Sequence, residues 1–226
     1  MQDPTATLEW HDQGVPVSTR FDDPYFSLEN GLEETRHVFL SGNDLPARLH
    51  DGFHVAELGF GTGLNLLALW QMWRDAGVPG RLHFTTFEAF PMAPEDMARG
   101  LALFPVDPDL AAQLLDAMRA GLTVLETPDL RAEIIPGDAR QTLPAWTGRA
   151  DAWFLDGFSP AKNPELWEEP LLQAVHDHTA PGGSAATYTA AGEIRRRLER
   201  VGFAVDRTPG FGRKRHMTRA RKADTA

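Results

Sequence analysis

"VAELGFGTGLNLLALWQMWRDAG" (residues 55–77) decides the fold. A short apolar run ends at Glu57 and Leu58, three glycines alternate at Gly59, Gly61 and Gly63, and a helical pattern follows at once. From residue 64 the spacing puts Leu66, Leu69, Trp70 and Trp73 on one helix face, and Gly77 closes it. Strand, tight turn and helix therefore follow one another without a spacer. The unit then repeats along the chain. Strand-like runs occur at 53–58, 82–87, 132–135, 150–155 and 183–189, with helix-period stretches at 64–77, 108–121, 164–179 and 191–202. In the last of these the apolar positions are Ile194, Leu198 and Val201. Strands alternating with helices predict an α/β fold, an open and mostly parallel sheet with helices on both faces. Ligands of such sheets sit at the carboxyl ends of the strands, near the switch point.

Those strand ends carry acids. A dinucleotide fingerprint reads G-x-G-x-x-G, whereas Gly59, Gly61 and Gly63 read G-x-G-x-G, with Glu57 two residues ahead. This spacing is characteristic of S-adenosylmethionine (AdoMet) sites, where glycine lets a ligand lie against backbone N–H groups at a helix start. The same turn also serves as a plain strand–helix connection. Glu88 ends the next strand, where an acid can accept both ribose hydroxyls of an adenosine, and Asp138 ends the third behind Gly137. Asp138, or the backbone beside it, can read an adenine amino edge; it can equally cap the following helix. Together with Asn65 these residues make a cofactor set. Asp156 ends the fourth strand in "AWFLDGFSPAKNP" (152–164), in a loop stiffened by two prolines. That loop belongs beside the transferable methyl group, so Asp156 faces the acceptor. Phe158 and Tyr25 are candidate walls for a planar ring, core packing being the alternative for Phe158.

The remaining composition limits the function. With 42% hydrophobic residues, 24% charged residues and no cysteine, the chain can build a core but no disulfide, thiolate nucleophile or cysteine-ligated metal site. No run approaches 18 apolar residues and the N-terminus lacks a secretory pattern, so a cytoplasmic location is expected. His37, His50, His54, His176 and His178 form no ligand set, and no metal is expected. The net charge of −10 is unevenly spread. Residues 1–194 hold 11 Lys/Arg against 29 Asp/Glu, and residues 195–226 hold 11 against 3. The basic end suits a local phosphate-binding patch, or a solvated helix face and tail. Its candidate contacts are Arg213, Lys214, Arg215, Arg219 and Lys222. Lys162 reads either as a phosphate or acceptor contact or as a surface lysine, with Asn163 next to it.

Beyond these patterns, "FDDPYFS", "NGLEETRHVFLSGN", "AELGFGTGLN", "FTTFEAFP", "DAWFLDGFSPAKNPELW", "APGGSAATYTAAG" and "GFGRKRHM" occur in an order that resembles one family. It is the methyltransferase module of the bifunctional bacterial tRNA wobble-uridine enzymes, the MnmC family, and the match runs from about residue 10 to about 219. The resemblance implies a Rossmann-like AdoMet-dependent methyltransferase fold. It implies methylation of the primary amine of 5-aminomethyl-2-thiouridine at the tRNA wobble position. By position, Gly59, Gly61, Gly63 and Glu88 would hold AdoMet with Asp138 near the adenine, and Asp156, Phe158 and the loop with Lys162 and Asn163 would form the acceptor pocket. The partner would be the tRNA anticodon loop. The chain ends at Ala226, with no FAD-dependent oxidase module in it, so no FAD is expected and another enzyme would supply the aminomethyl group.

One structural domain is expected. Residues 1–50 would be a preamble packed on the core, its aromatics suiting a pocket cover, and residues 51–226 the methyltransferase domain with a helical insertion at about 91–130. Two other readings remain at this level: an N-methyltransferase for a small amine or a protein, and a non-catalytic AdoMet-binding module. The glycine spacing disfavours an NAD(P)-dependent dehydrogenase.

Overall fold

The computed structural model describes residues 5–11, 14–27 and 30–224. Parts of the predicted preamble, residues 1–4, 12–13 and 28–29, lie outside the described residues, as do residues 225–226. The rest of the preamble forms β1 (Leu8–Trp10), β2 (Pro16–Ser18) and β3 (Asp23–Pro24), a small antiparallel sheet, followed by α1 (Gly31–Thr35). Asn30 starts α1 by accepting the Glu33 N–H on its side chain at 3.1 Å. The chain continues through a π-helical turn, Arg36–Leu40, and a 3-10 turn, Ser41–Asn43. Val38, Phe39 and Leu40 are buried there, and Asn43 donates to the Trp153 carbonyl at 3.3 Å. The preamble is thereby fixed to the main sheet.

The alternating region follows as β4 (His54–Leu58), α2 (Leu64–Asp75), β5 (Leu82–Glu88), α3 (Pro94–Leu101), α4 (Pro108–Arg119), β6 (Val124–Glu126), β7 (Leu130–Pro136) and α5 (Ala139–Ala145). Then come β8 (Ala150–Leu155), α6 (Glu169–Asp177), β9 (Thr179–Thr187), α7 (Gly192–Arg200), β10 (Ala204–Pro209) and β11 (His216–Arg221). The sheet order is β10-β11-β9-β8-β4-β5-β7-β6. From β9 to β7 the neighbours are parallel, while β6, β10 and β11 add antiparallel pairs at the two edges.

Each face of the sheet carries its own core, and the two-residue period of the strands divides side chains between them. Along β8, Ala152 and Phe154 join the cluster under α2 and α4, and Trp153 and Leu155 join the one under α5, α6 and α7. The predicted face of α2 is buried, and so are Leu64, Leu67 and Ala68, because further helices cover its other side.

Three sequence expectations differ in detail. β9 begins at Thr179 rather than near 183. The stretch predicted as one helix over 164–179 is a 3-10 turn, Pro164–Trp167, and then α6, since Pro170 fits only a first helical turn and restarts the helix. The basic C-terminal end is no tail: β10 and β11 form a hairpin within the sheet, with Met217, Thr218 and Ala220 buried. Arg219 and Arg221 of β11 both bond Asp44 at 2.6 Å, and the Lys222 ammonium donates to the carbonyls of His176 and Thr179. Those cations are engaged within the fold.

Candidate active site

The chain runs outward from β4 to β5 and β7 on one side and from β8 to β9 on the other, so the switch point lies between β4 and β8. The loops that follow β4, β5, β7 and β8 border one cavity of about 790 Å³. Gly59, at φ 89°, lies so close to the fourth strand end that a Cβ would stand 2.5 Å from the Asp156 carbonyl oxygen. Only glycine lets the two loops meet in this way. Gly61, at φ 53°, presents bare backbone beneath the Tyr25 ring, which a Cβ would approach to 3.3 Å.

Of the predicted cofactor residues, Gly59, Gly61, Asn65, Glu88 and Asp138 line the cavity. Glu57 and Gly63 lie behind it. Glu57 points from β4 toward α2 and is fully buried, and Gly63 packs against Leu114 of α4. The Glu88 carboxylate accepts the N–H groups of Phe60 at 2.8 Å, Gly61 at 3.3 Å and Phe90 at 2.7 Å, bracing the glycine loop from the neighbouring strand. Asp138 caps α5 by accepting Arg140 N–H at 2.9 Å, and its carboxylate also holds the Arg140 guanidinium at 2.7 Å. That bond keeps Asp138 below the usual carboxylate range. Arg140 therefore reaches the cavity edge, a neighbour its sequence position alone did not mark.

Asp156 is braced from several sides. Its backbone N–H donates to Leu58 at 3.2 Å, the Tyr188 hydroxyl donates to the next carbonyl, that of Gly157, at 2.8 Å, and the Trp167 indole to that of Phe158 at 2.8 Å. Its carboxylate accepts an N–H of the Asn65 amide at 2.6 Å, while the other N–H goes to Glu57 at 2.8 Å and the amide oxygen accepts from Thr35 at 2.7 Å. Part of Asp156 faces the cavity, yet protein surrounds the group. Burial pushes its pKa up to about 7, against the opposing Asn65 bond; Glu34 adds to the rise and Lys214 counters it. Glu57 is raised well above the ordinary value, first by burial and then by Asp156.

The acceptor side is aromatic. Phe158 stacks on Phe21 at 4.8 Å and meets the edge of Tyr25 at 5.0 Å, and Arg20 lies over Phe90 at 4.4 Å. The preamble thus roofs the cavity. The ties that hold it down include Asp23, which accepts the Ser159 N–H at 2.8 Å, and Asp22, which pairs with Lys162. Asn163 lines the cavity beside that pair. Lys214 also lines it, bonded to Glu34 at 2.7 Å and placed 4.0 Å over the Tyr188 ring. Arg213 and Arg215 flank it on the exposed turn before β11, outside the lining. Sequence reasoning missed Arg20, Phe21, Glu34, Thr35 and Tyr188 as individuals, although the aromatic, polar preamble did mark a cover. Among the described residues no group of three His, Cys, Asp or Glu side chains is placed to hold a metal ion, and no helix is long and apolar enough to cross a membrane.

A parallel sheet with a glycine loop at its switch point, acids at successive strand ends and a roofed cavity defines a Rossmann-like enzyme that works on a nucleotide-type cofactor. A profile of the S-adenosyl-L-methionine-dependent methyltransferases matches residues 108–223, and the chain belongs to that family. Its methyl donor is AdoMet. The chain is 47% identical to the tRNA 5-methylaminomethyl-2-thiouridine biosynthesis bifunctional protein MnmC of a Caulobacter species, over 97% of this chain and 39% of that protein. It is 45% identical to the MnmC protein of Pseudomonas fluorescens, over 96% and 34%. The chain thus spans well under half the length of these relatives. Among solved structures, MnmC2 from Aquifex aeolicus superimposes with a TM-score of 0.76 at 26% identity, over 97% of this chain and 71% of that one.

Proposed function

We propose that this protein methylates the primary amine of 5-aminomethyl-2-thiouridine at the tRNA wobble position, giving 5-methylaminomethyl-2-thiouridine. The observation that carries the reading is the Asp156 carboxylate, set beside the glycine loop in a cavity walled by Phe21, Tyr25 and Phe158. The product named for the MnmC relatives supports the choice of acceptor. The cavity suits AdoMet, because it falls within the usual range for small-ligand sites and the Gly61 backbone borders it without a side chain. Gly59 and Gly61 with Glu88 and Asp138 would hold the cofactor, Asn65 would border it with its amide engaged by Thr35, Glu57 and Asp156, and Glu57 and Gly63 would shape the loop from behind. AdoMet supplies a methyl carbon on a cationic sulfur, open to in-line attack.

The residues of the chain would prepare the other reactant. An alkyl ammonium has no lone pair, so one proton must leave the nitrogen as the C–N bond forms and the C–S bond breaks. A carboxylate nearby stabilises the ammonium and cannot help by charge alone. Asp156 accepts an N–H of the amine, aiming its lone pair, and with a pKa about 7 it is matched to take the proton at neutral pH. Phe158 and Tyr25 stack against an extruded uracil ring, Asn163 and Lys162 border it, and Lys214 with Arg213 and Arg215 meets anticodon-loop phosphates. The reaction needs neither FAD nor a metal, and a separate active site must make the aminomethyl group. Cytoplasmic tRNA is the expected substrate pool.

The test is transfer of labelled methyl from AdoMet to tRNA carrying or lacking the aminomethyl group, followed by nucleoside analysis. Label should appear in 5-methylaminomethyl-2-thiouridine with the first tRNA only. Asp156→Ala should keep AdoMet binding and lose turnover by about 100-fold or more. Label transferred to small amines or protein but not to tRNA would overturn the assignment.

A further inference from the structure

The Asn65 side chain offers one acceptor and two donors to its surroundings, and all three are engaged: the Thr35 hydroxyl on its oxygen, and Glu57 and Asp156 on its NH2 group. Thr35 is 4% and Asn65 6% exposed, so these bonds form where water does not compete freely. Thr35 comes from α1 in the preamble, 30 residues before Asn65 in the first turn of α2. We propose that Thr35 is a positioning residue for methyl transfer: its hydroxyl holds the Asn65 amide with one N–H turned to Asp156, and so sets the direction and charge of the Asp156 carboxylate. The inference rests on the role of Asp156 proposed above.

Removing the hydroxyl leaves the Asn65 oxygen a buried acceptor with no donor. The nearest remedy is rotation of the amide toward Glu57, whose high proton affinity lets it donate. That rotation takes the N–H away from Asp156. The Asn65 bond is the largest influence favouring the charged form of Asp156. The other groups around the carboxylate are Glu34, Lys214, Tyr188 and Glu57. Of these only Lys214 is a cation, and it is already paired with Glu34. Asn65 is the side-chain donor on the Asp156 carboxylate, and its N–H is what the rotation removes.

Thr35→Val keeps the branched shape and deletes only the hydroxyl, whereas Thr35→Ser keeps the hydroxyl. The experiment records single-turnover methyl transfer to aminomethyl-bearing tRNA against pH for wild type, both variants and Asp156→Asn, with AdoMet affinity measured in parallel. The acid limb of Thr35→Val should move up by about one pH unit, with turnover at pH 7 down by about fivefold, as expected for loss of a hydrogen bond to a charged group. AdoMet affinity should change little, and Thr35→Ser should restore the wild-type limb. A Thr35→Val profile that overlays wild type, or a loss that Thr35→Ser does not restore, would sink the proposal. If Thr35→Val does not fold, Thr35→Ala must show the same displaced limb. Full turnover by Asp156→Asn would instead refute the role of Asp156 itself. An inactive Asp156→Asn beside an unshifted Thr35→Val would refute only the role of Thr35.

Discussion

Asp156 is held in a form that is useful for chemistry and unfavourable for folding. An exposed aspartate titrates near 3.8, and in the folded chain burial raises Asp156 to about 7. The folded state therefore binds the proton more tightly than the unfolded one. Stability is fullest while both states are protonated, falls as pH rises through the unfolded value, and stops falling above the folded value. The window is about pH 4 to 7, and Glu57 shifts in the same direction. Asp156→Asn keeps an acceptor for Asn65 and cannot ionise. Its melting temperature relative to wild type should be level below about pH 4, rise between pH 4 and 7, and remain about 5 °C or more higher at pH 8. Thermal unfolding followed across that range checks this, and a difference that does not vary with pH would show that Asp156 is not titrating there. The same substitution should abolish methyl transfer, so stability and activity part at one atom pair.

Elements were legible where their own sequence carried the pattern. β4, β8 and α2 were read to within a few residues because apolar runs, glycines and helical spacing are local signals. β10 and β11 were not, because β10 is a mostly exposed edge strand with few apolar residues, and the arginines that disguise β11 find their counter-charge at Asp44, far away in the chain. The candidate site divides in the same way. Glu88, Asp138 and Asp156 were visible as strand ends, and Tyr25 and Phe158 as aromatic walls. The bond from Thr35 to Asn65 was not visible, since only the packing of α1 on α2 brings them together. Reading β11 as a strand rather than a tail has a direct consequence. A chain ending at Arg215 loses the strand that joins β10 to β9, and should lose cooperative thermal unfolding. Were residues 216–224 merely a solubilising end, the truncated protein would melt at the wild-type temperature, and circular dichroism would distinguish the outcomes.

At the scale of the whole molecule, the preamble meets the sheet twice: Val38, Phe39 and Leu40 pack into the core, and the stretch ahead of α1 lies over the cavity. Residues 20–27 supply its roof, the strand ends its floor, and the direct ties between them include Asp23 to Ser159 and Lys162 to Asp22. A ligand lying between Tyr25 and the glycine loop touches both parts, so its binding energy adds to the stability of the entire fold. At a free concentration 100 times Kd, AdoMet contributes about 2.7 kcal/mol. For a chain of this size that corresponds to a melting temperature about 5–10 °C higher. Gly61→Val sets the control. Its side chain would start 3.3 Å from the Tyr25 ring on backbone at φ 53°, where a branched residue is strained, and it would grow into the space above the loop. The variant should melt below wild type without ligand and show almost no rise when AdoMet is added. Differential scanning calorimetry with and without AdoMet measures both. A full ligand-induced rise in Gly61→Val would mean that the cofactor does not lie against this loop, and the assignment of the cavity would have to be redrawn from the Glu88 side.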